Sequence, residues 1–295
     1  MTFEEEFALR KEAIEEIIER YLPEESGFQK TVLQAGNYSV RAGGKRLRPM
    51  IMLETYRLFD GRSKAIEPFL AAIEMIHTSS LIHDDLPCMD NDVLRRGQPS
   101  CWAKFGEDMG VLAGDSLLIY AVETACRSFS LNADPKAVGE AIRILSSKTG
   151  IHGMIGGQTL DVEKTGKPLS EAELDFIYRL KTGALIEASM MIGAVLAGAS
   201  QENIDTCERI ARNVGVAFQI QDDILDVTST TEELGKPVHS DEVNEKFTYV
   251  TIYGLEKARE EVERLTEEAV EDLSKLTGEN EFLKTLLLKL VGRTK

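Results

Sequence analysis

Twice in this chain a pair of adjacent aspartates closes an apolar stretch. Asp84-Asp85 follows Leu81-Ile82-His83, with Asp90 six positions after the first; Asp222-Asp223 follows the run from Val214 to Ile220, with Asp226 four positions after the first. An unpaired carboxylate buried among apolar neighbours costs roughly several kcal/mol, so each cluster demands a partner. One acidic pair alone is most often a solvated helix face. Two clusters in apolar helical sequence point instead to hard divalent cations, held by carboxylate oxygen and facing another anion. On a helix Asp222 and Asp226 share one face, about one turn apart. Asp84 and Asp90 would aim at different faces of an unbroken helix. Pro87, which lacks an N–H, predicts that the helix loosens there and lets Asp90 fold back beside Asp84.

The sequence between and around these clusters carries helical periodicity throughout. Helices are predicted over Glu4–Arg20, Phe28–Ala42, Met50–Phe59 (opened by Pro49), Ala65–His83, Gly110–Phe129 and Pro135–Lys148. A long one follows over Glu171–Ala199, with Ser170 and Glu173 as a capping box, then Gln201–Thr228, Thr248–Leu276 and Glu279–Leu290. Ala65–His83 is the most apolar of the early helices and is expected to be central. The Ala/Gly-rich stretches Ala113–Ala125 and Met190–Ala199 are expected to pack closely inside. No convincing period-2 strand is visible, so the fold is expected to be all-α. No linker or low-complexity run divides the 295 residues, which gives one domain over 1–295.

Fifty acidic against 34 basic residues leave a net charge of −16, which argues against nucleic acid and anionic membrane surfaces as partners. Cys88, Cys101, Cys126 and Cys207 show no CxxC spacing and read as reduced thiols, the N-terminus is acidic rather than signal-like, and no apolar run reaches the ~18 residues of a membrane span. The expectation is a cytoplasmic protein with no membrane anchor. A phosphorylated ligand would meet repulsion from the bulk field, so local cations must reverse the sign. Gly43-Gly44-Lys45-Arg46-Leu47-Arg48-Pro49 sets three cations on a turn before a helix, the usual equipment for phosphate, and Arg95-Arg96-Gly97 follows the first aspartate cluster. A lone basic run is usually a solvated surface feature; two beside acidic clusters favour alternating carboxylate, metal, diphosphate and arginine. His77, on the helix that ends in the first cluster, reads either as a core group or as a phosphate donor.

Taken together, LIHDDLPCMDND-x-LRRG, GGKRLRP, GGQ-x-LD (Gly156 to Asp161), KTG (Lys181 to Gly183) and FQIQDDILD (Phe218 to Asp226) closely resemble all-trans polyprenyl (isoprenyl) diphosphate synthases of the short-chain bacterial and plastid-like farnesyl/geranylgeranyl type. The motifs run in family order over nearly the whole chain. The resemblance implies an isoprenoid-synthase bundle of roughly ten core helices around a deep apolar cavity, usually a homodimer. It implies that Asp84, Asp90 and Asp222 bind three Mg²⁺ ions, with Mn²⁺ as a substitute, and that Asp85, Asp223 and Asp226 support them. Arg95, Lys181, Lys236 and Lys246 match contacts to the allylic diphosphate; Lys45, Arg48, His77 and Arg96 match the isopentenyl diphosphate site. Thr182 and Gln219 match residues beside the reacting carbons. The implied reaction joins isopentenyl diphosphate head-to-tail to an allylic diphosphate (dimethylallyl, geranyl or farnesyl).

Two positions bear on product length. Many farnesyl-producing relatives carry an aromatic residue at the fifth position before the first aspartate, as a floor to the cavity. Here that residue is Ser79, followed by Ser80, which lowers the floor and favours a twenty-carbon product over fifteen. Among rival readings, a class I terpene cyclase carries a different second metal motif and needs no isopentenyl site. A non-catalytic partner subunit of a prenyl synthase would be expected to lose an aspartate cluster, and both are whole here.

Overall fold

The computed structural model describes residues 1–228, 247–276, 278 and 280–292. Its helices are α1 (Phe3–Tyr21), α2 (Lys30–Arg41), α3 (Leu47–Leu58), α4 (Glu67–Asp84), α5 (Cys101–Phe105), α6 (Glu107–Cys126) and α7 (Pro135–Thr149), then α8 (Met154–Lys164), α9 (Glu171–Ile177), α10 (Ala184–Leu196), α11 (Gln201–Thr228), α12 (Tyr249–Tyr253), α13 (Leu255–Lys275) and α14 (Glu281–Val291). The fold is all-α as expected. The one sheet among the described residues is a hairpin of two residues a side, Leu94–Arg95 against Gln98–Pro99.

Local chemistry explains most boundaries. Ser170 Oγ accepts from the Glu173 N–H at 3.3 Å while Glu173 accepts from the Ser170 N–H at 2.8 Å, the predicted capping box, worth about 1 kcal/mol. Helix α3 opens at Leu47 rather than after Pro49, because proline in the first turn removes an N–H that has no partner there anyway. The predicted helix Thr248–Leu276 is broken at Gly254, whose φ of +86° no helix accommodates, giving α12 and α13. Helices α5 and α8 were not anticipated from periodicity; in α8 the Gly156-Gly157 pair lowers helix propensity and blurs the pattern.

The core is one contiguous cluster of buried apolar side chains running from Ile14 on α1 to Val291 on α14. Helices α4 and α10 run through it: every residue of α10 from Ala184 to Val195 is buried, as are Ala72, Met75 and Ile76 on α4. The expectation that no segment matches a membrane span needs correction, since Lys64–Asp84 and Glu107–Ser130 are both long and apolar enough. The first owes its hydropathy to the core, where 78% of it is buried. The second is only 39% buried and shows Val111, Leu112 and Ile119 to solvent.

Candidate active site

Helix α4 stops at Asp84, with Asp85 as its cap, three residues ahead of Pro87, where the clash of a proline ring with the preceding backbone disfavours helix. The chain then curls back: the Asp90 N–H donates to the Asp84 carbonyl at 2.9 Å, and the Asn91 N–H, at φ +55°, to the Leu86 carbonyl at 3.1 Å. Asp90 therefore sits beside Asp84, as Pro87 predicts. Asp85 turns the other way, is buried, and accepts from Arg95 Nε at 3.0 Å; the same guanidinium donates to Asp92 at 3.2 Å. Arg95 is thus held within the aspartate turn. Gln158 Nε2 on α8 donates to Asp84 Oδ1 at 2.8 Å. Burial pushes the Asp84 carboxyl up to about 6, with Asp90 and Asp85 adding to the rise and Lys181 and Arg95 opposing it.

The predicted helix Glu171–Ala199 is interrupted by a π-helical turn, Tyr178–Gly183, which carries Lys181 and Thr182. Such turns insert an extra residue, rotate the side chains that follow, and recur at functional sites. Two glycines clamp this one. A Cβ on Gly157 of α8 would lie 2.3 Å from the Lys181 nitrogen, and one on Gly215 of α11 would lie 2.8 Å from the Gly183 Cα. Side-chain bonds to α11 fix its register. The Tyr178 hydroxyl donates to Asp223 Oδ2, and Thr182 Oγ1 donates to Gln219 Oε1 at 2.9 Å, so partners four apart on one element meet partners four apart on the other. The Tyr249 N–H, opening α12, donates to Tyr178 Oη and Asp223 Oδ2, each at 3.1 Å. Lys181 points away from these and donates to Asp161 Oδ2 at 2.5 Å.

Between the two aspartate clusters lies a cavity of about 370 Å³, lined among the described residues by Asp90, Asp92, Asp161, Asp222, Asp223 and Asp226 against Lys164 and Lys181 as cations. Thr182 and Gln219 line it too, with Tyr178 and Phe247 among its larger walls. A wall so rich in carboxylate oxygen fits hard divalent cations. Among the described residues no three acidic, histidine or cysteine side chains already converge into a closed metal site. Asp84, Asp90 and Asp222 are the carboxylates that would hold such ions.

A second cavity, of about 610 Å³, is lined by Lys45, Arg48, His77 and Arg96, which brings together the four residues matched to isopentenyl diphosphate. Arg46 and Glu74 share it. Burial and the guanidiniums of Arg48, Arg96 and Arg46 hold the His77 imidazole well below its usual range, so it is neutral and offers a ring N–H rather than a charge. Ser79 is buried and its hydroxyl donates to the Ile76 carbonyl at 2.8 Å; Ser80 does the same to His77 at 2.9 Å. Both hydroxyls fold onto their own helix, so neither side chain projects far. Lys236 and Lys246 lie outside the described residues. Sequence reasoning assigned no role to Gln158, Asp161 or Tyr178. The GGQ-x-LD motif held the signal for the first two, and Tyr178 sits one turn ahead of Lys181.

The profile of the polyprenyl synthetase family matches residues 29–286. The chain is 45% identical over 244 residues to the large subunit 1 of the chloroplastic heterodimeric geranylgeranyl pyrophosphate synthase of Arabidopsis thaliana, covering 81% of this chain and 66% of that protein, so it spans about two thirds of the plant relative. It is 43% identical over 254 residues to the farnesyl diphosphate synthase of Geobacillus stearothermophilus, covering 86% and 85%. The solved structure of a geranyltransferase from Helicobacter pylori complexed with magnesium and isoprenyl diphosphate superposes with a TM-score of 0.82 at 33% identity, over 99% of this chain and 97% of that one. The chain belongs to the polyprenyl synthetase family.

Proposed function

We propose that this protein is a Mg²⁺-dependent prenyltransferase. It adds isopentenyl diphosphate head-to-tail to dimethylallyl, geranyl and farnesyl diphosphate and stops at twenty carbons. The observation that carries the reading is the presence in one fold of two cavities, one walled by aspartates and one by cations, with family membership giving the reaction class. Asp84, Asp90 and Asp222 would hold three Mg²⁺ ions, which would supply Lewis acidity toward the departing allylic diphosphate. Lys181 leaves Asp161 to meet that diphosphate, joined by Arg95, Lys236 and Lys246. Lys45, Arg48, Arg96 and neutral His77 hold the isopentenyl diphosphate. Once the allylic C–O bond ionises, the oxygens of Thr182 and Gln219 steady positive charge at the carbons. The isopentenyl π electrons form the new C–C bond, and a proton leaves to the released diphosphate. Leu169, Leu174, Ile177 and Phe247, the apolar part of the aspartate cavity's wall, limit the water that would quench the cation.

Ser79 supports the longer product, because it stands where many farnesyl-producing relatives carry an aromatic floor. The apolar face of α6, with Val111, Leu112 and Ile119 exposed beside an apolar groove against α2, supports a homodimer in which a second copy covers it. A cytoplasmic enzyme fits the reduced cysteines. Asp84→Ala and Asp222→Ala, assayed with Mg²⁺ alongside far-UV circular dichroism, test the reading: each is expected to keep the fold and lose about 10²-fold or more in turnover. Turnover near wild type in either variant refutes it.

A further inference from the structure

The segment Lys45-Arg46-Leu47-Arg48 carries three cations, yet they are not equivalent. Lys45 is exposed and Arg48 half-buried on the cation cavity, whereas Arg46 is 5% exposed. Its backbone is left-handed, at φ +52°, a conformation that side-chain-bearing residues rarely adopt. The twist sends its guanidinium inward, where Nη1 donates to Glu74 Oε1 at 2.6 Å and Nη2 to the Val40 carbonyl at 2.7 Å. Glu74 is 2% exposed and lies one turn before His77 on α4. Its carboxylate also attracts Arg48 and Arg96, and among the described residues it is the one acidic group on the wall of that cavity; the partly exposed Glu15, 3.5 Å from Arg46 Nε, lies outside the wall. Arg48 Nε is buried without a hydrogen-bond partner among the described residues, so the guanidinium is open to a competing acceptor.

A buried carboxylate beside the cations that hold a diphosphate is a competitor for them. We infer that Arg46 is a positioning residue that clamps Glu74, keeping the carboxylate off Arg48 and Arg96 and so leaving those guanidiniums free for the diphosphate of the homoallylic substrate. The inference rests on the proposed use of this cavity. Without Arg46, Glu74 turns to Arg48 and Arg96, the strongest opposite charges left near it, and takes them from the ligand.

The test is calorimetric titration of the full chain with isopentenyl diphosphate in EDTA, so that no metal recruits the ligand to the aspartate cavity. Arg46→Met is expected to weaken binding at least 10-fold, and Arg46→Lys, which keeps the clamp's charge, less than 3-fold. The deciding variant is Arg46→Met with Glu74→Gln, which removes the released carboxylate and returns affinity to within about 3-fold of wild type. A role in folding alone predicts that the double variant binds no better than Arg46→Met, and that result overturns the clamp. Should Arg46→Met fail to fold, Glu74→Gln alone keeps the hydrogen bond, removes the competitor and is expected to bind tighter; unchanged or weaker binding also overturns the clamp. Arg48→Met serves as the control for the site. If it binds normally, the cavity assignment has failed rather than the clamp.

Discussion

Asp84 shows what a carboxylate in such a place does to the unloaded protein. Burial raises its folded pKa from 3.8 to about 6, so the folded state holds a proton that the unfolded chain has already released. The stability this contributes is present below the unfolded value and is lost as pH rises through about 6, amounting to about 3 kcal/mol at most. Denaturation of the metal-free protein from pH 4 to 7 should show that loss. Asp84→Asn, which cannot ionise, should flatten the slope, and a wild-type curve that is already flat would contradict the account. Cations bound at the aspartates answer the same penalty. At Ser79 the argument is one of space: Ser79→Tyr is expected to shift the product from twenty carbons to fifteen, read by sizing the dephosphorylated alcohols. An unchanged profile would place the floor elsewhere, on Met75 or a neighbouring helix.

Among the elements, the π turn at Tyr178–Gly183 decides where Lys181 stands. Gly157→Ala would drive a Cβ into its backbone, which is expected to cost roughly 1–3 kcal/mol and to lower turnover through displaced Lys181. Thermal unfolding and kinetics together check this; wild-type values in both would show that α8 can back away. This turn also marks the edge of what the sequence makes legible. The capping box at Ser170, the fold-back of Asp90 and the sharing of a face by Asp222 and Asp226 are consequences of neighbours in sequence, and all are readable there. The π turn is not, because an extra residue in a helix leaves no compositional trace; its register is fixed by tertiary partners, Tyr178 on Asp223 and Thr182 on Gln219. Helix α8 leaves little periodic trace because Gly156 and Gly157, the second of them needed for close approach to Lys181, are poor helix formers. Arg46 shows the same limit: the three cations of Lys45-Arg46-Leu47-Arg48 look alike until a left-handed residue turns one of them inside.

At the scale of the molecule, a chain of net charge −16 can hold a diphosphate only by concentrating cations locally. The cation cavity does so beside Glu74 and His77 in the middle of α4, while Asp84 ends that helix and Asp222, Asp223 and Asp226 stand on α11, where metal is needed to reverse their sign. The exposed apolar face of α6 belongs to this scale too. Ile119, 70% exposed, replaced by Arg should convert the proposed dimer to monomer in sedimentation or light scattering, with little change in helicity; a wild-type mass that is already monomeric would remove that proposal.

The most direct test of the whole account is a product assay in Mg²⁺ with isopentenyl diphosphate and, in turn, dimethylallyl, geranyl or farnesyl diphosphate. The account predicts that all three starters are elongated and that geranylgeraniol accumulates after dephosphorylation. Failure to form any product from any starter would contradict it.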